Sequence, residues 1–282
     1  MAKDNIRFRT IKDNIFKGLI VFLAFLSGIP LIIILYYITS KGISSINWQF
    51  LVNLPKPVGE IGGGISNAIL GTLILIAISC ILAVPLGIAV GIYLSETKKG
   101  KIAYIVRLCV EVLQGIPSIV IGIIAYVWVV IPMKSPSAFS GGIALAIMML
   151  PVIVRSTEET LKLIPNHLRE ASLALGVPYF RTILKVILPA GLSGIITGIL
   201  LGVARIAGET APLLFTAFGS NFMNLNILKP MSSLPLLIFN YATSPYEEWI
   251  AFAWGASFVL VVLVLGLNII AKLVAKKWKV QF

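Results

Sequence analysis

The chain has 282 residues, of which 58% are hydrophobic and only 12% charged, with a mean hydropathy of +1.00. Soluble domains carry charge on about a quarter of their residues, so this composition excludes one and calls for a bilayer. The formal charge of +12 does not describe a nucleic-acid surface, because its lysines and arginines fall between the apolar runs instead of clustering, and it reads as a topology signal.

A helix rises about 1.5 Å per residue and must cross about 30 Å of hydrocarbon, so about 20 apolar residues make a span. The first such run, Gly18 to Ile38, follows Lys3, Arg7, Arg9, Lys12 and Lys17. It is longer than the apolar stretch of a signal peptide and no small-residue cleavage pattern follows, so it is expected to remain as an uncleaved helix. An outer loop, residues 39–66, has PKP at Pro55 to Pro57 and GGG at Gly62 to Gly64, and sets this span apart from the region 67–274. There the runs are Asn67 to Leu94, Ile102 to Ile131, the short Gly141 to Val154, Ala190 to Phe218 and Trp249 to Val274. Pro85, Pro117 and Pro151 lie inside spans and are expected to kink them without breaking them. The semi-apolar stretch Gly219 to Glu248 either dips into the membrane interface or packs on the bundle. The fold class is all-α integral membrane, with six transmembrane helices.

Cytoplasmic segments hold the excess of Lys and Arg. The N-terminus carries five, Ser95 to Lys101 three, Arg155 to Pro189 five, and the C-terminal end four, namely Lys272, Lys276, Lys277 and Lys279. The alternate segments carry only Lys41, Lys56, Lys134 and Lys229. Both termini, 1–17 and 275–282, are therefore expected in the cytoplasm. Cys80 and Cys109 fall inside apolar runs with no CxxC or Cys/His spacing, which supports neither a metal site nor a disulfide. The only histidine, His167, lies in the cytoplasmic segment, where a surface position is expected.

Two arginines remain, both inside spans. Arg205 lies about 22 Å along the fifth span, where a charge costs at least about 2.5 to 3.5 kcal/mol, so it should face protein or a water-filled path. Glu209, four residues on, would share its helix face one turn away. The pair either neutralises itself for packing or lines an anion path, with Arg205 attracting the substrate and Glu209 keeping it from being trapped. Arg107 and Glu111 are spaced alike near the cytoplasmic start of the third span, where helix support or loop packing is the expected role. Gly191-Leu192-Ser193-Gly194 spells the GxSG of intramembrane serine proteases, but such an enzyme needs a membrane histidine to activate serine. Close helix packing is the expected use of Gly191 and Gly194.

The cytoplasmic segment between the fourth and fifth spans ends HLREASLALGVPYFRTILKVILPAG. It reads as two short helices: Leu168 to Leu175 stops at Gly176, which takes a left-handed cap, and Pro178 opens the next. Ala171, Ala174 and Leu175 give the first an apolar face suited to a groove. Glu170, Ala171, Gly176, Leu188 and Pro189 stand at the spacing EAA, three residues, Gly, nine residues, I-x-L-P, with Ser172 for the second alanine and Val186 for the isoleucine. This resembles the EAA loop of ATP-binding-cassette importer permeases. The resemblance implies a type I importer permease core in spans two to six. It also implies that the loop, 156–189, couples to an ATPase through Glu170, Ala171, Ser172, Gly176, Leu188 and Pro189. The chain has no G-x-x-x-x-G-K-[ST] loop to cradle nucleotide, Gly100-Lys101 being followed by Ile102. ATP and Mg would belong to that partner, with no cofactor on this chain.

The run ARIAGETAPLLFTA from Ala204 is similar to PstA-type permease subunits of bacterial phosphate importers. So are GGGISNAILGTL from Gly62, GIPSIVIG from Gly115, LPVIVRSTEE from Leu150 and SPYEEW from Ser244. This likeness implies a PstC-like second permease, a dimer of ATPase subunits, an external phosphate-binding protein and a multi-pass location in a bacterial inner membrane. It makes Arg155, Arg205 and Glu209 the transport residues, although Arg155 at a membrane edge equally suits a snorkelling anchor. A protonated phosphate can donate a hydrogen bond to Glu209, whereas ionised sulfate cannot. Molybdate or sulfate is the alternative cargo. A proton-coupled secondary transporter is a further alternative, one that would function alone, often with inverted repeats, and would give the cytoplasmic loop no task.

Overall fold

The computed structural model describes residues 6–60, 62–97 and 99–277. Lys3, Lys98 and Lys279, used above for the topology, lie outside it, as do the side chains of Arg7, Lys276 and Lys277. In lipid every backbone polar group must be satisfied internally, and the described residues accordingly form helices with no strand. Five helices are long and apolar enough to cross a membrane, six if one bent pair counts as a span. In chain order the elements are α1 (Ile6–Ile43), α2 (Trp48–Val52), α3 (Ser66–Glu96), α4 (Lys101–Gly115) and α5 (Ser118–Ala125). A π-turn at Tyr126–Val130 leads to α6 (Ile131–Met133), then come α7 (Ala138–Lys162), α8 (Asn166–Ala174) and α9 (Tyr179–Thr182). A second π-turn at Ile183–Ile187 leads to α10 (Leu188–Ala207), α11 (Ala211–Thr216), α12 (Leu234–Ala242) and α13 (Glu247–Lys277).

The centre is α7, the least apolar of the five long helices and the most buried. Its inward residues include Ala138, Ser140, Gly141, Gly142 and Ala144, which let neighbours approach closely. On α3, Gly87 meets Ile153 and Gly91 meets Thr157, and Ser79 Oγ donates to the Gly142 carbonyl at 3.0 Å. From the other side α10 presents Gly191, Gly194, Gly198 and Gly202 to Leu161, Thr160, Ser156 and Met149. The GxSG glycines are thus helix-contact residues, as expected, and His167 is exposed on α8.

Two spans differ from their sequence reading. Pro117 breaks the third span instead of kinking it: α4 and the segment Ser118–Met133 meet at 107°. The residue before a proline is pushed out of the helical region, and Ile116 is extended at φ −71, ψ 130. Pro85 and Pro151 stay within unbroken helices. The fifth span ends at Ala207 and resumes only at Ala211, with Gly208 as its cap and Pro212 in the first turn of α11. Proline has no N–H for the ladder and crowds the carbonyl four residues back, here that of Gly208.

The two segments that join α1 to α3 and α11 to α13 are folded onto the bundle. The first contains α2, whose Phe50 is fully buried beneath Phe252 of α13 with ring centroids 5.2 Å apart. The second packs on the helices and does not hang free: Leu234 N–H donates to Thr72 Oγ1 at 2.8 Å, and Asn67 Nδ2 to the Ser220 carbonyl at 2.6 Å. Its carbonyls at Lys229 and Ile227 accept from Ala138 and Phe139, so the loop supplies acceptors for the orphan N–H groups at the start of α7. By contrast α1 packs on α13 alone among the long helices and keeps its apolar residues exposed, as a lipid-facing helix does.

Candidate functional site

The break after Ala207 decides the geometry of the charged pair. Arg205 occupies the last turn of α10, where orphan carbonyls favour a cation, whereas Glu209 lies in the linker before α11. The expected shared helix face is therefore corrected: the two are not one turn apart on a continuous helix. No ion pair joins them, and neither side chain is hydrogen-bonded among the described residues. Arg205 is exposed on the surface of the chain and Glu209 half-buried. Exposure to lipid would cost Arg205 at least about 2.5 to 3.5 kcal/mol, so this face must meet protein or water. A discontinuous helix with an uncommitted cation beside it is an arrangement that can meet an anion.

The other charges in the spans pair between helices. Arg107 does not engage Glu111; its Nε donates to Glu158 Oε1 of α7 at 2.8 Å. Its Nη2 donates to the Leu94 and Thr97 carbonyls at the end of α3, at 2.7 and 2.9 Å. Glu158 is buried and also accepts from Lys162 Nζ at 2.5 Å. Glu111 receives Arg155 Nη2 at 2.9 Å, a half-exposed pair between α4 and α7. Helix support is therefore delivered across three helices and not along one, because α4, cut short at Gly115, lies against α7 with both residues facing it.

In the loop between α7 and α10, α8 runs Asn166–Ala174, and Gly176 at φ +77 takes the left-handed conformation that only glycine adopts without strain. Pro178 precedes α9. Glu170, Ala171, Gly176 and Pro189 are exposed, Leu188 is partly buried, and Ser172 is buried with its hydroxyl 2.9 Å from that of Thr182. Ser172 thus holds α8 against α9, and the outward apolar surface is made by Ala171, Ala174 and Leu175, the last 83% exposed. One residue escaped the sequence reading. Glu96, the last residue of α3, accepts from Arg169 Nη2 of α8 at 2.9 Å and from the Tyr179 hydroxyl of α9. No local spacing signals it, since its partners are more than 70 residues away. Among the described residues no group of His, Cys, Asp and Glu is disposed to hold a metal ion.

The sequence profile of a family described as "binding-protein-dependent transport system inner membrane component" matches residues 83–280. Among curated proteins, the chain is 43% identical over 250 residues to the phosphate transport system permease protein PstA of Yersinia pestis, covering 88% of this chain and 85% of that one. It is 38% identical over 275 residues to the PstA of Pasteurella multocida, covering 97% and 98%. Among solved structures, a chain of the MetNI methionine ABC transporter in an inward-facing conformation superposes with a TM-score of 0.66 at 21% identity, over 77% of this chain and 96% of that one. That likeness concerns the fold, a type I importer permease.

Proposed function

The chain belongs to the family of binding-protein-dependent transport system inner membrane components, and we propose that it is the permease subunit of an ATP-driven importer of inorganic phosphate. One observation carries the cargo: near end-to-end similarity to proteins named as phosphate transport permeases, reaching 97% of this chain. Such a permease is a transporter component and not an enzyme, and it requires an ATPase partner and an external substrate-binding protein. Molybdate and sulfate are not favoured as cargo, since the relatives share the phosphate name.

We infer further that both termini lie in the cytoplasm, so that α8 and α9 face the ATPase. A dimer of ATPase subunits, holding ATP and Mg, docks on α8 through Glu170, Ala171, Gly176 and the neighbouring apolar surface, with Ser172, Leu188 and Pro189 shaping the loop. A PstC-like permease covers the face bearing Arg205 and supplies the other half of the path. Support for this comes from the charge itself: Arg205 is exposed in a membrane helix, and a second subunit with a wet interface removes its exposure to lipid. Arg205 attracts the anion, Glu209 accepts a hydrogen bond from the hydroxyl that phosphate retains and sulfate lacks, and Arg155 acts nearer the cytoplasmic end of α7.

The test is uptake of radiolabelled phosphate at low concentration in cells lacking this chain and then complemented with it, with excess sulfate and molybdate as competitors. Uptake that returns, needs the ATPase and ignores the competitors supports the reading, and Arg205→Ala should then abolish it with the complex still assembled. Uptake independent of the ATPase would sink the assignment. Glu209→Gln with unchanged phosphate uptake and unchanged discrimination against sulfate would remove the role given to that carboxylate.

A further inference from the structure

An ATPase that moves α8 and α9 acts on α10 through the continuous helix Tyr179–Ala207, and on the other spans through the loop's backbone connection to α7 and the contacts that join it to them. The apolar ones, Leu161, Ile164, Ile183, Ile187 and Ile195, form a buried cluster, but apolar contact is non-directional and permits sliding. Directional contacts are few. Ser172 and Thr182 bond within the loop, and Arg169 donates to the Leu161 and Ile164 carbonyls at the end of α7, each at 3.2 Å. Toward α3, where Ile88 and Ile92 share the apolar cluster, the hydrogen bonds from α8 and α9 among the described residues all go to Glu96: one carboxylate oxygen receives Arg169 of α8 and the other receives Tyr179 of α9. The Glu96 and Arg169 side chains are 15% and 14% exposed, so solvent screens this pair far less than a surface pair. Glu96 closes a 31-residue helix locked to α7 by close contacts at Gly87 and Gly91. A displacement applied at its end is therefore carried into the bundle.

Resting on the permease reading above, we propose that Glu96 is a positioning residue that transmits displacement of α8 and α9 to α3, and so sets how much transport each ATP drives. It touches neither substrate nor nucleotide. Loss of its carboxylate removes the directional link between α3 and both short helices while leaving the ATPase-facing surface of α8 in place, which separates hydrolysis from transport.

The experiment uses the whole complex with its ATPase and external binding protein in proteoliposomes, and reads phosphate moved per ATP hydrolysed. Glu96→Ala is expected to keep hydrolysis near the wild-type rate while the ratio falls about tenfold or more. Tyr179→Phe, which removes one of the two bonds and leaves the ring, is expected to give an intermediate ratio. Glu96→Asp is expected to restore much of it. If Glu96→Ala and Tyr179→Phe lower hydrolysis and transport together with the ratio unchanged, Glu96 serves stability only and the proposal is overturned. Should Glu96→Ala fail to assemble, an unchanged ratio in Tyr179→Phe overturns it equally. A wild-type complex that hydrolyses ATP in response to the binding protein yet moves no phosphate refutes the permease reading itself, which is a different failure.

Discussion

Replacing Gly87 with alanine tests the close approach of α3 and α7 directly. A Cβ at that position would stand 2.7 Å from Ile153 Cγ2 and 2.8 Å from Ile153 Cβ, against an ordinary carbon–carbon contact of about 3.5 to 4.0 Å. Ile153 is completely buried and has nowhere to turn, so the helices must separate by about 1 Å. Overpacking of this kind costs about 1 to 3 kcal/mol, offset by up to about 1 kcal/mol because alanine is the better helix former. Gly266 of α13 supplies the control, since nothing lies within 4 Å of the Cβ it would gain. Gly266→Ala therefore keeps the propensity gain without the clash. The difference between the two variants isolates the packing contribution, and at about 2 to 4 °C per kcal/mol it should separate their melting temperatures by about 2 to 12 °C. Thermal unfolding of the purified complex in detergent measures it. A Gly87→Ala complex melting at or above the Gly266→Ala temperature would refute the reasoning.

Glu158→Ala leaves Arg107 and Lys162 facing each other without their carboxylate; a loss of about 2 to 3 kcal/mol is expected, toward the low end for a broken buried pair because Lys162 reaches solvent, read as a lowered melting temperature. The Arg155–Glu111 pair is half-exposed, so Glu111→Gln should change stability by no more than about 1 kcal/mol. Phosphate uptake in Arg155→Ala then separates the two roles: uptake lost at unchanged stability marks a transport residue, and uptake retained marks an anchor. Leu175→Asp alters a side chain that is 83% exposed and should leave stability within about 0.5 kcal/mol, while the ATPase no longer co-purifies with the permease. Retained co-purification would place the docking surface elsewhere on the chain.

Sequence reasoning located the helices because lipid solvation is a local, additive property: a run of about 20 apolar residues is favourable wherever it occurs. It located the two short helices α8 and α9 for a similar reason, since Gly176 and Pro178 act on their own backbone. The conformation at Gly176 was legible to the residue. At Pro117 the same reasoning gave the right residue and the wrong consequence, and the break between Ala207 and Ala211 was not foreseen. Whether a missing N–H bends or breaks a helix depends on the neighbours that satisfy the freed carbonyl, as Pro85 and Pro151 show by sitting in intact helices.

Charge pairing was the least legible. Spacing of four residues suggested Arg107 with Glu111 and Arg205 with Glu209, yet Arg107 reaches Glu158, Arg155 reaches Glu111, and Arg205 is left uncommitted. A side chain pairs with whatever packing brings within about 3 Å, and neighbours across α3, α4 and α7 are as near as those one turn away. By itself, then, the amino-acid order determined that this is a multi-span membrane protein, which runs of residues form its long helices, and where the two short helices around Gly176 lie. Tertiary packing alone decided where two spans break, which charges are consumed inside the bundle, and that Glu96 joins the loop to α3, because those outcomes depend on distances between segments far apart along the chain.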